Sequence, residues 1–330
     1  MSTLINRRDA LRWGLGLSGA FALSNLVSAA PPKASQEGRD ANGAGIYHRP
    51  LGEFSLWTVS DGFGAFPVYP TFGGRTGSKD AVLEAARRWH LSDPVYNNFM
   101  MLVVRTPDAL VLIDTGNGEG RGENSGKLLA RLKQLGFAPK DFTHVIITHA
   151  HPDHLWGAVS KGKSVFSEAK YFIGQAEMRF WNRSDAEIRQ APEQMRGMLT
   201  TTRDALRVLE PQVKQVKDGE EVLPGFTMLD MPGHTPGHMG VQIRSGGETL
   251  YHVADIANQV RLLFEHPEWD FSYDNDPEQA TATRRRVLGR IAEERALIFG
   301  THYTFPGFGY VNQTGEGFEY IPEPIQFGGW

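Results

Sequence analysis

The 330-residue chain sets 34 Lys and Arg against 38 Asp and Glu, a formal net charge of −4, with 40% hydrophobic and 22% charged residues. This is the balance of an ordinary globular chain with ample core, and it offers no basic surface for nucleic acid. No cysteine is present, which excludes disulfides, thiolate metal ligands and a cysteine nucleophile, so any bound metal takes His and carboxylate ligands.

Residues 1–30 read as an export signal: Arg7, Arg8 and Arg12 precede a mildly apolar run from Leu15 to Val27, and Ser28-Ala29-Ala30 offers small residues for cleavage. Asn6-Arg7-Arg8-Asp9-Ala10-Leu11 resembles a twin-arginine signal, with Ala10 where Phe is usual, and this implies a periplasmic or secreted protein. Removing the segment takes away Arg7, Arg8, Arg12 and Asp9, a net +2, so the charge of −4 becomes −6. No later stretch offers an apolar run long enough to span a bilayer, so no stable membrane association is expected.

Residues 31–49 read as a flexible leader, and 50–330 as a single domain. Alternation over 53–59 marks a first strand, 81–89 a helix, and 99–104 with 110–113 a hairpin that runs into Asp114. Asp114 is expected to hold a loop near the site. A helix over 125–135 stops at Gly136. Strands are expected at 145–147 and 170–173 and a helix at 175–181. A helical insert, around 178–210, interrupts the alternation. Its apolar Met178, Phe180, Trp181, Met195, Met198 and Leu199 suggest a homodimer contact or a pocket cover. Short strands follow at 213–216, 226–229, 241–243 and 250–253, a capped helix at 277–294 and a strand at 297–299. Arg284-Arg285-Arg286 reads as a solvated helix face, and residues 304–330 as an aromatic, Pro/Gly-rich end. Strands and helices alternating twice over predict a four-layer α/β sandwich, two sheets face to face with helices outside.

The densest chemistry lies in Thr148-His149-Ala150-His151-Pro152-Asp153-His154, directly after Val145-Ile146-Ile147. Four potential ligands at i, i+2, i+4 and i+5 cannot all face one small ion, so the spacing predicts two metals. His149 and His151 would serve one, Asp153 and His154 the other. A second cluster, Gly233-His234-Thr235-Pro236-Gly237-His238, sits in a loop stiffened by Pro and opened by Gly. Asp255 and His302 each follow an apolar strand, as His149 does.

Together these motifs resemble the metallo-β-lactamase superfamily over nearly all of the chain after residue 50. Within it they are similar to the methyl parathion hydrolase and lactonase-like group, through Trp57 to Gly62, Ile147 to His154, Gly233 to His238 and His302 to Gly309. The resemblance implies the αββα fold. It implies His149, His151 and His238 on one metal, Asp153, His154 and His302 on the other, Asp255 as bridge, and His234 as a supporting residue. It also implies two divalent ions, zinc first among Zn2+, Mn2+, Fe2+ and Co2+. A metal-bridging hydroxide would attack the substrate, with Asp153 orienting it or passing on its proton and Tyr303 donating to a developing oxyanion.

Candidate pocket residues are the loop aromatics Phe180, Trp181, Phe264, Trp269, Phe305 and Phe308. The expected substrates are small neutral or aromatic lactones or esters, with organophosphate triesters as the alternative. A β-lactamase is disfavoured by the Asp255 bridge, and a non-catalytic metal-binding protein by the full ligand set.

Overall fold

A computed structural model describes residues 45–120 and 123–325. The expected export signal and most of the leader lie outside these residues. The leader as read to Arg49 is shortened from its far end, because Ile46–Leu51 is already a strand, antiparallel to Phe54–Phe66, with Ile46, Tyr47 and Leu51 buried. Pro50 and the charged surroundings masked that short apolar pattern.

Two seven-stranded sheets dominate. The first runs Ile46–Leu51, Phe54–Phe66, Val95–Arg105, Leu110–Ile113, His144–Ile147, Lys170–Gly174 and Val213–Val216 in both chain and spatial order. The second orders Glu221–Leu223, Phe226–Asp230, Met239–Ser245, Glu248–His252, Leu297–Phe299, Phe308–Thr314 and Gly317–Pro322 in the same way. The first sheet is antiparallel from Ile46–Leu51 to Leu110–Ile113 and parallel from there to Val213–Val216. The second is antiparallel except where Glu248–His252 meets Leu297–Phe299. Parallel pairing falls where a helix or long loop intervenes.

The period of two decides which side each residue serves. Leu102 and Val104 join Phe226, Val241 and Leu250 in the core between the sheets. Their neighbours Met101 and Val103 pack outward with Leu128, Leu132, Trp181 and Leu206 of the helices. The sheets are thus sandwiched by helices, as expected. Pro277–Glu294 starts at Asp276, whose carboxylate accepts from Gln279 N, and ends at Arg295 in the left-handed region.

The insert consists of Asp185–Gln190 and Glu193–Leu209, separated at Ala191-Pro192. Proline lacks the N–H that a continuous helix needs. Of the residues that suggested a subunit contact, Met178, Trp181 and Leu199 are buried within their own chain, while Met195 is exposed. Among the described residues no helix is long and apolar enough to cross a membrane.

The arginine run departs from expectation. Arg284 is 1% exposed. Its Nε donates to Ile256 O, its Nη1 to Pro267 O and Trp269 O, and its Nη2 lies 3.5 Å from Asp274. Arg285 and Arg286 do face outward, reaching Glu316 O and Asp230 O.

Candidate metal centre

Strand ends deliver the ligands. His144–Ile147 leads into His149, Glu248–His252 towards Asp255, and Leu297–Phe299 towards His302. The atoms converge as two groups, His149 with His151 and His234, and Asp153 with His154 and His302, and a third group of His149, His154 and Asp255 joins them. His151 Nδ1 lies 3.1 Å from His149 Nε2 and 2.9 Å from His234 Nε2. Nitrogens on one tetrahedral zinc at ordinary bond lengths stand about 3.3 Å apart, so this spacing suits a shared cation.

Asp255 lies between the groups. Its Oδ1 is 3.2 Å from His154 Nε2, and its Oδ2 is 3.1 Å from His302 Nε2 and 3.3 Å from His234 Nε2. One carboxylate therefore reaches both groups, as a bridge requires. His154 Nε2 and Asp255 Oδ1 are buried without a hydrogen-bond partner, and a divalent cation would satisfy both.

The assignment expected in the second loop changes. His234, not His238, stands with His149 and His151. His238 Nδ1 donates to Met231 O at 2.8 Å, which leaves Nε2 as acceptor for the Asp255 N–H at 3.1 Å. Both nitrogens are consumed in holding backbone, and one of them positions the bridging residue. A spacing of four residues across Thr235-Pro236-Gly237 gives no sign of which histidine turns inward.

Three of the inward rings, those of His154, His302 and His234, are oriented from behind. His154 Nδ1 faces Asp114 Oδ2 at 2.7 Å, His302 Nδ1 donates to Asn98 O at 2.7 Å, and His234 Nδ1 faces Asp274 Oδ1 at 3.0 Å. With the proton held at Nδ1, Nε2 offers its lone pair to the site. Asp114 also accepts from Thr148 N and Thr148 Oγ1, both at 2.8 Å, so it fixes the loop as well as the ring, as expected. It does so at φ +62°, a conformation Asp tolerates better than most side chains. Asp274 and Asn98 carry no motif and escaped the sequence reading.

The electrostatics suit a cation. Burial, helped by the neighbouring imidazoles, holds His149 well below the usual histidine value and His151 at about 3, so both are neutral near pH 7. Burial also opposes charge on His154, but Asp255, Asp153 and Asp114 outweigh it and push its pKa well up. Burial opposes ionisation of Asp153, yet the charge on His154 outweighs it and brings Asp153 to about 2. Burial opposes charge on His302 too, but Asp255 and Asp153 raise its pKa as well, and a cation bound at these nitrogens would take the place of their protons.

An Asp114→Asn variant tests the orientation from behind. The amide N–H2 would face His154 Nδ1, displace its proton to Nε2 and block the ligating lone pair. Metal affinity should fall about 10–100-fold in a chelator competition. Wild-type affinity would show that Asp114 does not set the tautomer.

Beside the centre opens a cavity of about 490 Å³ with His151, His234, Phe180, Trp181, Met198 and Leu199 among its lining residues. Of the aromatic candidates, Phe180 and Trp181 are in this lining. Phe264 packs in the core against Tyr303 and Tyr320, and Trp269 stacks on His266 with ring centroids 3.9 Å apart. Phe308 is a core residue against Phe299, and Phe305 packs on the same core. None of these four lines the cavity. Tyr303 does not line the cavity either. Its ring crosses Gly300, where an added Cβ would come within 2.4 Å of it, and its buried hydroxyl has no hydrogen-bond partner.

The family model of the Metallo-beta-lactamase superfamily matches residues 94–302. A solved structure described as AidC, a dizinc quorum-quenching lactonase in complex with a product N-hexnoyl-L-homoserine, is similar at TM-score 0.81 and 32% identity. The match covers 86% of this chain and 98% of that one. The hydrolase AbOPH of the beta lactamase superfamily aligns at TM-score 0.79 and 25% identity, over 86% of this chain and 99% of its own. An N-acyl homoserine lactonase of Bacillus cereus is 24% identical over 61% of this chain and 79% of its own length. With two adjacent ligand groups at the strand ends of this sandwich, the chain belongs to the metallo-beta-lactamase superfamily and is a metal-dependent hydrolase.

Proposed function

We propose that the chain hydrolyses lactones or related esters carrying an apolar acyl group, at a two-metal centre. The observation that carries this reading is the Asp255 carboxylate within reach of both ligand groups, beside a cavity walled by Phe180, Met198 and Leu199. Under it His149, His151 and His234 would hold one cation and Asp153, His154 and His302 the other, with Asp255 available to both. The resemblance to a dizinc lactonase with its product supports the substrate class.

Divalent cations held by these residues would supply Lewis acidity for the acyl carbonyl and for a water nucleophile. The chain's own residues do the rest. The Asp153 side chain is 20% exposed against 4% for Asp255, so it is the carboxylate edge that substrate can approach. Its low pKa keeps it ionised near neutral pH, so it offers lone pairs as a ligand and hydrogen-bond acceptor rather than a proton. The apolar walls, Leu199 buried and Phe180 and Met198 partly so, would shield the acyl group from water and orient the ester bond towards the ligand groups. Export to the periplasm or beyond, on the Arg7-Arg8 signal, completes the proposal.

The test is metal analysis of purified protein followed by assays on a hexanoyl homoserine lactone, an aryl hexanoate, an aryl phosphotriester and a β-lactam. Two cations per chain and lactone opening that chelation abolishes are expected. A fully loaded protein that opens no lactone and cleaves no ester, but turns over the triester or the β-lactam, would overturn the substrate class.

A further inference from the structure

Glu177 is fully buried on the helix Gln175–Trp181, and neither ligand group contains it. Its Oε1 accepts from Ala150 N at 2.8 Å and from Trp181 Nε1 at 2.6 Å. Its Oε2 accepts from Thr235 Oγ1 at 2.7 Å and from Gly237 N at 3.2 Å. Ala150 lies between His149 and His151, and Thr235 follows His234. The three residues of one ligand group therefore sit on two loops tied to one carboxylate.

We propose that Glu177 is the positioning residue of this group, setting the distance between the His149–His151 loop and the His234 loop, and hence its affinity for the cation. The inference rests on the two-metal reading above.

Three of the four donors are N–H groups that cannot reverse, so both oxygens must accept, and only a carboxylate meets that demand. Burying such a charge is costly unless every lone pair is used, and here the four bonds use them. A residue needed only to fill space would be apolar. The loops also meet at backbone contact. A Cβ added to Gly237 would lie 2.0 Å from Glu177 N, so the His234 loop can settle on this helix only through glycine. The same Oε1 holds the Trp181 indole, whose ring packs edge-on to His151 with centroids 5.6 Å apart and lines the cavity. One atom thus registers the ligand loop and the cavity wall together.

The test compares full-length wild-type protein with Glu177→Gln by zinc competition against a chromophoric chelator and by the visible spectrum of the Co2+-loaded form. Glutamine keeps the shape, but its N–H2 must face at least one of the fixed N–H donors. A far-UV spectrum like the wild type's, a fall of about 10–100-fold in affinity for one cation and an altered Co2+ band are expected. Thr235→Val removes one donor and leaves the carboxylate in place. It should lose several-fold and serves as the reporter if Glu177→Gln does not fold. A lowered melting temperature with unchanged affinity and Co2+ spectrum would assign Glu177 to fold stability alone and overturn the proposal. Wild-type protein that binds fewer than two cations would instead overturn the two-metal reading beneath it, which separates the two failures.

Discussion

His234→Ala leaves the protein with one tightly held cation instead of two and lowers kcat/KM on a lactone by on the order of 10³, while His238→Ala keeps both cations. The first figure follows from losing several kcal/mol of carbonyl polarisation at about tenfold per 1.4 kcal/mol. His234 Nε2 is one of three imidazole nitrogens grouped around one position, and alanine leaves only His149 and His151 there. His238 faces backbone on both sides, so its removal strands Met231 O and Asp255 N. Each unpaired buried group costs roughly 1–3 kcal/mol. The His238 variant should therefore melt lower and lose some activity through a looser Asp255, yet show two cations by elemental analysis. One cation in the His238 variant and two in the His234 variant would reverse the assignment.

That contrast also shows what the sequence could and could not disclose. The cluster from His149 to His154 was legible because four ligands follow one apolar strand too densely for a single ion. Asp255 and His302 were legible for a related reason, since each repeats a strand followed by a ligand. His234 and His238 are equivalent by that rule. Only the path of the loop decides between them, through Met239 N bonding Thr148 O and His238 closing back on Met231. Elements with one strong period came out at their observed bounds, including Pro277–Glu294, Val213–Val216 and Leu297–Phe299. The closing hairpin, Phe308–Thr314 with Gly317–Pro322, was missed. Its strands are half polar on one face, with only Phe308, Gly309, Val311, Gly317, Phe318 and Tyr320 buried. Of the aromatic candidates, proximity in sequence to a ligand was a poor guide. Tyr303 and Phe308 follow His302 closely, yet both pack in the hydrophobic core and neither lines the cavity.

Arg284 offers the second large effect, and its signal was present in the sequence. The buried stripe of its helix runs Ala280, Thr283, Arg284, Val287, Leu288 and Ile291, a spacing of three and four that places Arg284 on the apolar side. Arg284→Met should destabilise the protein by roughly 3–5 kcal/mol, because it leaves Asp274 without its cation and three carbonyls without a donor. Arg285→Met, at a side chain 39% exposed, should cost less than about 0.5 kcal/mol. Urea unfolding of both variants measures the difference, and equal midpoints would show that Arg284 carries no such role. The effect reaches the metal centre by a short route. Asp274 accepts from Phe271 N with one oxygen and faces His234 Nδ1 with the other. Arg284→Met therefore lets the carboxylate that orients His234 seek another partner. Arg284→Lys restores the charge but not the fork that reaches Ile256, Pro267 and Trp269 together. It should recover part of the zinc affinity and little of the stability, and that split separates the electrostatic from the packing role of this one side chain.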